Sequence, residues 1–254
     1  MSDSLAGRTG FAGLVLAAGA GTRLRPLTAV RPKALCPVDG VPLVDLAVDR
    51  VLPVVDEVAV NLHHGRGALE AHLGGRVHLS IEEPVALGTA GAVGALRDWI
   101  DGRPTVIANA DAWCAGGMEA LVDGWDGERV RILVPGGGPL GPRSLIAGSL
   151  LPWAFARDLR AEPTGLYESV WRDAVAAGRL ETVALDGPFV DCGTPAAYLT
   201  ANLAASGGRS VVAPGAQVDG DLVRSVCWED AVVDRGETLV DAIRFSRRRT
   251  VLVR

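Results

Sequence analysis

The sequence predicts an α/β fold, a mostly parallel sheet covered by helices on both faces, and three observations carry that expectation. Apolar or β-branched runs recur at 11–16, 57–61, 77–81, 104–108 and 130–134, and stretches with helical periodicity separate them at 43–52, 65–73, 89–100 and 118–124. The runs are continuously apolar rather than alternating, as strands buried on both faces are. Parallel crossovers need a connector that can bury a stripe, and the intervening segments supply one.

Taken in order, residues 1–10 read as a loose polar leader and 11–206 as the main domain, with a Rossmann-like sheet. The Gly/Pro run at 135–142 cannot hold a regular element and marks a loop. Helices are expected again at 152–159 and 165–177, then short strands near 180–185 and 189–192. Thr194 as N-cap and Pro195 at the first turn open a helix running to about Ala205. Beyond it, Val212 and Val218 stand six residues apart around Pro-Gly and Asp-Gly turns, the hexapeptide pattern of a left-handed parallel β-helix. Residues 207–254 are therefore expected to form a short β-helix-like tail. Two or so coils are few for a solenoid, so the tail should pack on the main domain or on a partner subunit, a route to a homo-oligomer.

Composition excludes several classes. Across 254 residues, 48% hydrophobic and 22% charged side chains describe a globular chain with a sizeable core rather than a disordered one. The net charge of −5, without a basic block before the extreme tail, argues against nucleic acid as a partner. No apolar run approaches the roughly 20 residues that span a bilayer, and the first ten residues lack the order of a signal peptide. Cys36, Cys114, Cys192 and Cys227 show no metal or disulfide spacing, which fits buried thiols in a reducing, cytoplasmic setting.

Chemistry concentrates in residues 16–35. A strand ending in Ala17-Ala18-Gly19-Ala20-Gly21 uncovers backbone N–H groups and lets phosphates approach the main chain without meeting Cβ atoms. As a dinucleotide fingerprint, Gly19-x-Gly21 lacks its third small residue, since Leu24 stands there; as a Walker loop, it lacks the closing Gly-Lys-Ser/Thr. A tight turn explains the glycines but not Arg23, Arg25 and Lys33 clustered within eleven residues. Of the 25 Lys and Arg residues only Lys33 is a lysine, so a generic cation is written as Arg here and Lys33 is set apart.

The segment Gly19-Ala-Gly-Thr-Arg-Leu-Arg-Pro-Leu-Thr28, followed by Pro32-Lys33, resembles the signature of the sugar-1-phosphate nucleotidyltransferases. That family includes mannose-1-phosphate guanylyltransferase, glucose-1-phosphate thymidylyltransferase and N-acetylmuramate-1-phosphate uridylyltransferase. The resemblance implies that Leu16, Ala17, Ala18, Gly19, Gly21 and Thr22 lie along the nucleoside and its phosphates. It implies that Arg23 holds the triphosphate and that Lys33 bridges the α-phosphate and the incoming sugar phosphate. Leu87-Gly-Thr-Ala-Gly-Ala92 is similar to the element whose backbone faces the base, which places Gly88 there. Asn109-Ala-Asp111 is similar to the family's Asn-Gly-Asp, and Asp191-Cys-Gly-Thr-Pro195 to its Asp-x-Gly-Thr-Pro. Those two aspartates would be the protein's ligands to a Mg²⁺ ion held mainly by substrate phosphates. Taken singly, strand-end solvation accounts for Asp111 and helix capping for Asp191.

The resemblance covers roughly 14–205 and departs from the family at one place. The usual Glu-Lys-Pro stretch, whose lysine grips the sugar phosphate, is replaced by the Gly/Pro loop. Arg143 is the nearest substitute cation, with Asn109 and Gly148 as further sugar-phosphate contacts, although a solvated loop accounts for Arg143 equally well. Glu82 and Glu83 stand where the family reads the base edge, and a carboxylate there suits guanine donors, while Trp113 and the short loop look as much like the uridylyl branch; a solvated face is the plain alternative for the glutamates. His63 and His64 read as a strand-end pair, either lining the acceptor pocket or solvated.

The expected reaction is transfer of a nucleotidyl group from an NTP to a sugar 1-phosphate, with Mg²⁺ as cofactor. Two alternatives stay open: a regulatory relative that binds nucleotide without turnover, and a cytidylyltransferase with a non-sugar phosphate acceptor.

Overall fold

The computed structural model describes residues 10–141 and 144–253. In chain order its regular elements are β1 (Ala12–Leu16), β2 (Pro37–Val38), β3 (Val41–Pro42), α1 (Leu43–Val51), β4 (Glu57–Leu62), α2 (Arg66–Leu73) and β5 (His78–Ile81). There follow α3 (Gly88–Ala95), α4 (Arg97–Ile100), β6 (Thr105–Asn109), β7 (Ala112–Cys114), α5 (Glu119–Val122), β8 (Val130–Pro135), β9 (Gly148–Leu151) and α6 (Trp153–Ala156). A π-helical stretch, Tyr167–Trp171, runs into α7 (Arg172–Ala176), and β10 (Leu180–Leu185), β11 (Phe189–Asp191) and α8 (Pro195–Ala205) complete the part before the tail.

Among the described residues, packing forms two compact units that interleave in sequence, residues 10–19, 46–110, 114–141 and 144–189 against residues 20–45, 111–113 and 190–253. The grouping departs from the linear boundary expected at 206, because the segment holding Lys33 and the one holding Asp111 pack with the C-terminal part.

The first unit is built on a seven-stranded sheet in the order β10-β8-β9-β6-β1-β4-β5. β1 runs parallel to β4 and β6, β4 to β5, and β8 to β10, as the apolar runs predict. One strand departs from that expectation. β9 is antiparallel to both β6 and β8, so the sheet is mixed at this point. Ala12 and Leu14 face a core that includes Ala90, Val93 and Leu96. Gly13 points the opposite way and lies so near Val51 of α1 that a Cβ there would sit 2.7 Å from Val51 Cγ1. Alternation along β1 thus directs its side chains to helices on both faces. The register levels Leu16 with Asn61 and with Asn109, which aligns three strand ends at one carboxyl edge, the edge where open α/β sheets hold ligands.

The periodic stretch expected as one helix at 89–100 is two, broken at Leu96, whose φ of −96° and ψ of 5° leave the helical region. The helix expected at 118–124 is the single turn of α5.

In the second unit, three 3₁₀ turns (Thr22–Leu24, Leu27–Ala29 and Lys33–Leu35) carry the chain to the β2–β3 hairpin. Thr194 caps α8 as its residue type demands, its hydroxyl accepting from the Ala197 N–H at 3.3 Å, with Pro195 in the first turn. From Val211 onward, short strands pair in parallel with strands 15–17 residues later: Val211 with Val226, Gln217 with Val232, Asp221 with Thr238 and Val226 with Ile243. A last antiparallel pair, Ala242–Ser246 with Arg249–Leu252, ends the stack. Cys227, Ala231, Val233, Leu239 and Ala242 fill its interior.

Candidate active site

The second unit gathers four of the expected site residues. Lys33 opens a 3₁₀ turn after Pro32, whose extended backbone (φ −54°, ψ 145°) is the conformation proline favours. Its side chain is only 8% exposed, and its Nζ donates to Asp111 Oδ2 at 2.9 Å while standing 3.7 Å from Asp191 Oδ1. Arg23 Nη2 lies 3.8 Å from Asp191 Oδ2, on a side chain that is largely exposed. The two aspartates are brought side by side by a backbone bond, Cys192 N–H to Asp111 O at 3.0 Å. Gly21 allows the lysine its place. Its φ is +60°, a left-handed value, and a Cβ there would lie 2.8 Å from Lys33 Cβ. The Gly21 carbonyl also accepts from the Thr28 hydroxyl at 2.9 Å, and Thr22 begins the turn that carries Arg23.

With one ammonium, one guanidinium and two carboxylates, this cluster has no net charge. It cannot neutralise a triphosphate unaided, and the donor set fits a hard dication. Asp191 Oδ1 is buried with no hydrogen-bond partner, an acceptor left with unused capacity. Among the described residues no three His, Cys, Asp or Glu side chains gather to hold a metal ion. The protein would therefore supply two carboxylates, with phosphates and water completing the shell, as suits magnesium. Flanking thiols are inert: burial pushes Cys36 and Cys192 up to about 12, against the pull of the nearby Lys33.

The first unit holds the turn that follows β1. Ala17 N–H donates to Asn61 Oδ1 at 2.8 Å, and His64 meets the Ala18 carbonyl both through its N–H at 3.4 Å and through Nδ1 at 3.0 Å. Leu16 is half-buried, Ala17 and Ala18 are buried, and Gly19 is exposed with nothing within 4 Å of where a Cβ would stand. The turn is thus pinned from behind and open at Gly19.

Glu82 departs from its expected roles. It is 1% exposed, and its carboxylate accepts from Asn61 Nδ2 at 2.7 Å and from the Leu87 N–H at 2.8 Å. With both oxygens engaged inside the protein, it neither faces water nor reads a base edge; it ties the Ala17 turn to the start of α3. Glu83 is exposed and paired with Arg66, which also holds Glu70. The two histidines are not simply solvated, since His63 Nδ1 meets Glu82 O at 2.8 Å and the rings stack edge to face at 4.6 Å. Asn61 was not singled out from sequence, although a lone polar residue near the end of an apolar strand was the available signal.

Of the remaining expected residues, Gly88 is the first residue of α3, where Thr164 O accepts from the Ala90 and Gly91 N–H groups at 3.1 and 3.5 Å. Asn109 ends β6. Gly148 is buried in β9, and packing accounts for it: a Cβ would stand 2.9 Å from Met118 Sδ and 3.1 Å from Ile107 O. Arg143 lies outside the described residues.

Comparison with known proteins agrees with the geometry. A family model described as nucleotidyl transferase matches residues 12–134. The chain is 30% identical over 227 residues to N-acetylmuramate alpha-1-phosphate uridylyltransferase of Caulobacter vibrioides, covering 74% of this chain and 94% of that protein. It is 27% identical over 116 residues to mannose-1-phosphate guanylyltransferase of Mycobacterium tuberculosis, covering 43% of this chain and 32% of that one. A solved structure from Bacillus anthracis, assigned as a glucose-1-phosphate thymidylyltransferase, superposes with a TM-score of 0.65 at 20% identity, covering 77% of this chain and 95% of that one. The fold and the near full-length relative together define a nucleotide-transferring class of enzyme. The chain belongs to the nucleotidyl transferase family. No helix of the described residues is long and apolar enough to cross a membrane.

Proposed function

We propose that the protein transfers a nucleotidyl group from a nucleoside triphosphate to a sugar 1-phosphate, releasing pyrophosphate. The observation that carries this reading is Lys33 Nζ between Asp111 and Asp191, at 2.9 and 3.7 Å. An oxygen of the sugar phosphate attacks the α-phosphorus in line; the new P–O bond forms as the bond to the β-phosphoryl oxygen breaks and pyrophosphate leaves with its electron pair. No general base is needed, because a phosphate monoester with a second pKa near 6 is already anionic at neutral pH.

The protein's work is placement and charge. Lys33, buried between its partners, offers a point charge to the α-phosphate and the acceptor, and exposed Arg23 offers a fork to the departing pyrophosphate. Asp111 and Asp191 would hold Mg²⁺, which supplies charge neutralisation across the phosphates when bound. With the Ala17 N–H engaged by Asn61, backbone donors at Ala18 and Gly19 would take the nucleoside, and Asn109 would take the acceptor. The parallel pairings after Val211 support a tail wound as a short left-handed β-helix.

For the base, Glu82 is engaged inside the protein, which leaves exposed Glu83, paired with Arg66, as the carboxylate of the two that could meet guanine. The relative matched over 94% of its length is a uridylyltransferase. UTP with N-acetylmuramate α-1-phosphate is accordingly the first pair to assay, within a panel of NTPs and sugar 1-phosphates read by pyrophosphate release. Turnover with one such pair is the expected result. Thermal shifts on nucleotide binding, with no pyrophosphate from any pair, would instead make the protein a regulatory relative.

A further inference from the structure

We infer that the segment from Tyr198 to Glu229 is a brace that positions Lys33, with Arg31 and Glu229 as its positioning residues. The inference rests on the role proposed above for Lys33 but on different observations. Arg31 belongs to the same Arg-Pro-Lys run, yet its charge is engaged by Glu229. Its guanidinium grips Glu229 in a fork, Nη2 to Oε2 at 2.8 Å and Nη1 to Oε1 at 3.3 Å, and lies 4.4 Å over the ring of Trp228. Such a pairing uses the planarity of Arg twice, once for the carboxylate and once for the indole.

The other end of the Lys33 turn is held by the same part of the chain. The Tyr198 hydroxyl donates to Pro37 O, and the Asp39 N–H donates to Asn202 Oδ1 at 3.0 Å. Trp228 joins the two ends: it is 1% exposed, donates from Nε1 to the Tyr198 hydroxyl at 3.1 Å, and packs edge to face on Phe245. Residues 31 and 37–39 are thus both fixed by α8 and the first coils of the tail, and Lys33 sits between the fixed points. An ammonium on a flexible four-carbon stem serves an in-line displacement only if its backbone does not wander, since small misplacements are costly to rate.

The test uses the full-length protein and exploits Lys33 being the chain's only lysine. With ¹⁵N-lysine labelling, one side-chain ammonium signal reports Lys33 alone, whether or not turnover is measured. Glu229→Gln should shift or exchange-broaden that signal and lower kcat by about tenfold, with KM for the nucleotide little changed and a cooperative thermal transition retained. The charge-swapped pair Arg31→Glu with Glu229→Arg should recover most of the lost kcat, because the contact is restored with its polarity reversed. An unaltered lysine signal in Glu229→Gln would overturn the brace. So would a swap that stays as slow as Arg31→Glu alone, since Arg31 would then act on substrate directly. If the wild-type chain released no pyrophosphate at all, the functional reading would fail while the lysine signal still decided the brace.

Discussion

Lys33 donates to the carboxylate of Asp111 at 2.9 Å, across 78 positions of sequence, from a side chain that is almost wholly buried. The buried ammonium sits in a cluster of no net charge, and in the proposed reaction it would act electrostatically on phosphates held with a dication.

Asp111→Asn and Asp191→Asn each remove one of the two carboxylates that fit magnesium. Each should lower the rate of pyrophosphate release at fixed magnesium by on the order of 10²-fold, with part of the loss recovered at higher magnesium. A magnesium titration of the initial rate checks this; unchanged half-saturation in both variants would remove the aspartates from the metal site.

Glu82→Ala should act on stability first. It strands the Asn61 amide and the Leu87 N–H, both bonded to Glu82 at 2.7 and 2.8 Å. The loss should be about 2–4 kcal/mol by urea unfolding, as for two donors left without acceptors. The KM for nucleotide should also rise, because the Ala17 turn loses its tie to α3. A base-reading carboxylate would change preference among NTPs and leave stability nearly intact.

Glu229 gives the brace a pH dependence. Burial, the largest single influence, raises its carboxyl, but the Arg31 hydrogen bonds, its own backbone N–H and the Arg31 charge together hold it below its ordinary value of 4.5. A depressed carboxylate contributes stability that is fully present above the unfolded pKa and is lost as pH falls through the folded one. The Tm difference between wild type and Glu229→Gln should therefore be constant near neutrality and shrink as the pH drops below about 4.5. Thermal melts across pH 3–8 measure it, and a difference that grew on acidification would contradict the pairing.

Cys36 and Cys192 flank the cluster with thiols that burial raises to about 12. Alkylation by iodoacetamide at pH 8 should spare both in the folded protein and modify both after unfolding, because the thiolate is the reactive form. Peptide mass mapping reads the sites directly.

The five parallel strands were legible because each is a short run rich in apolar or β-branched residues, interrupted only by His78 and Ser80 in β5 and Arg131 in β8. The meeting of Lys33 with Asp111 and Asp191 was legible because each stands in a compact local pattern. β9 was not, since Gly148-Ser-Leu-Leu151 is four residues long and owes its antiparallel place to β6 and β8 on either side. Glu82 in sequence looks like one of two solvated acids; only the parallel register of β4 with β5, Asn61 opposite Ser80, brings it to Asn61. The Arg31–Glu229 pair spans 198 positions and has no local signal at all.

Pyrophosphate release by Lys33→Ala, measured beside wild type with UTP and a sugar 1-phosphate, tests the central claim most directly. A kcat lower by on the order of 10²-fold or more, in a variant that keeps its circular dichroism, is the expected result. Release at a near wild-type rate would contradict it.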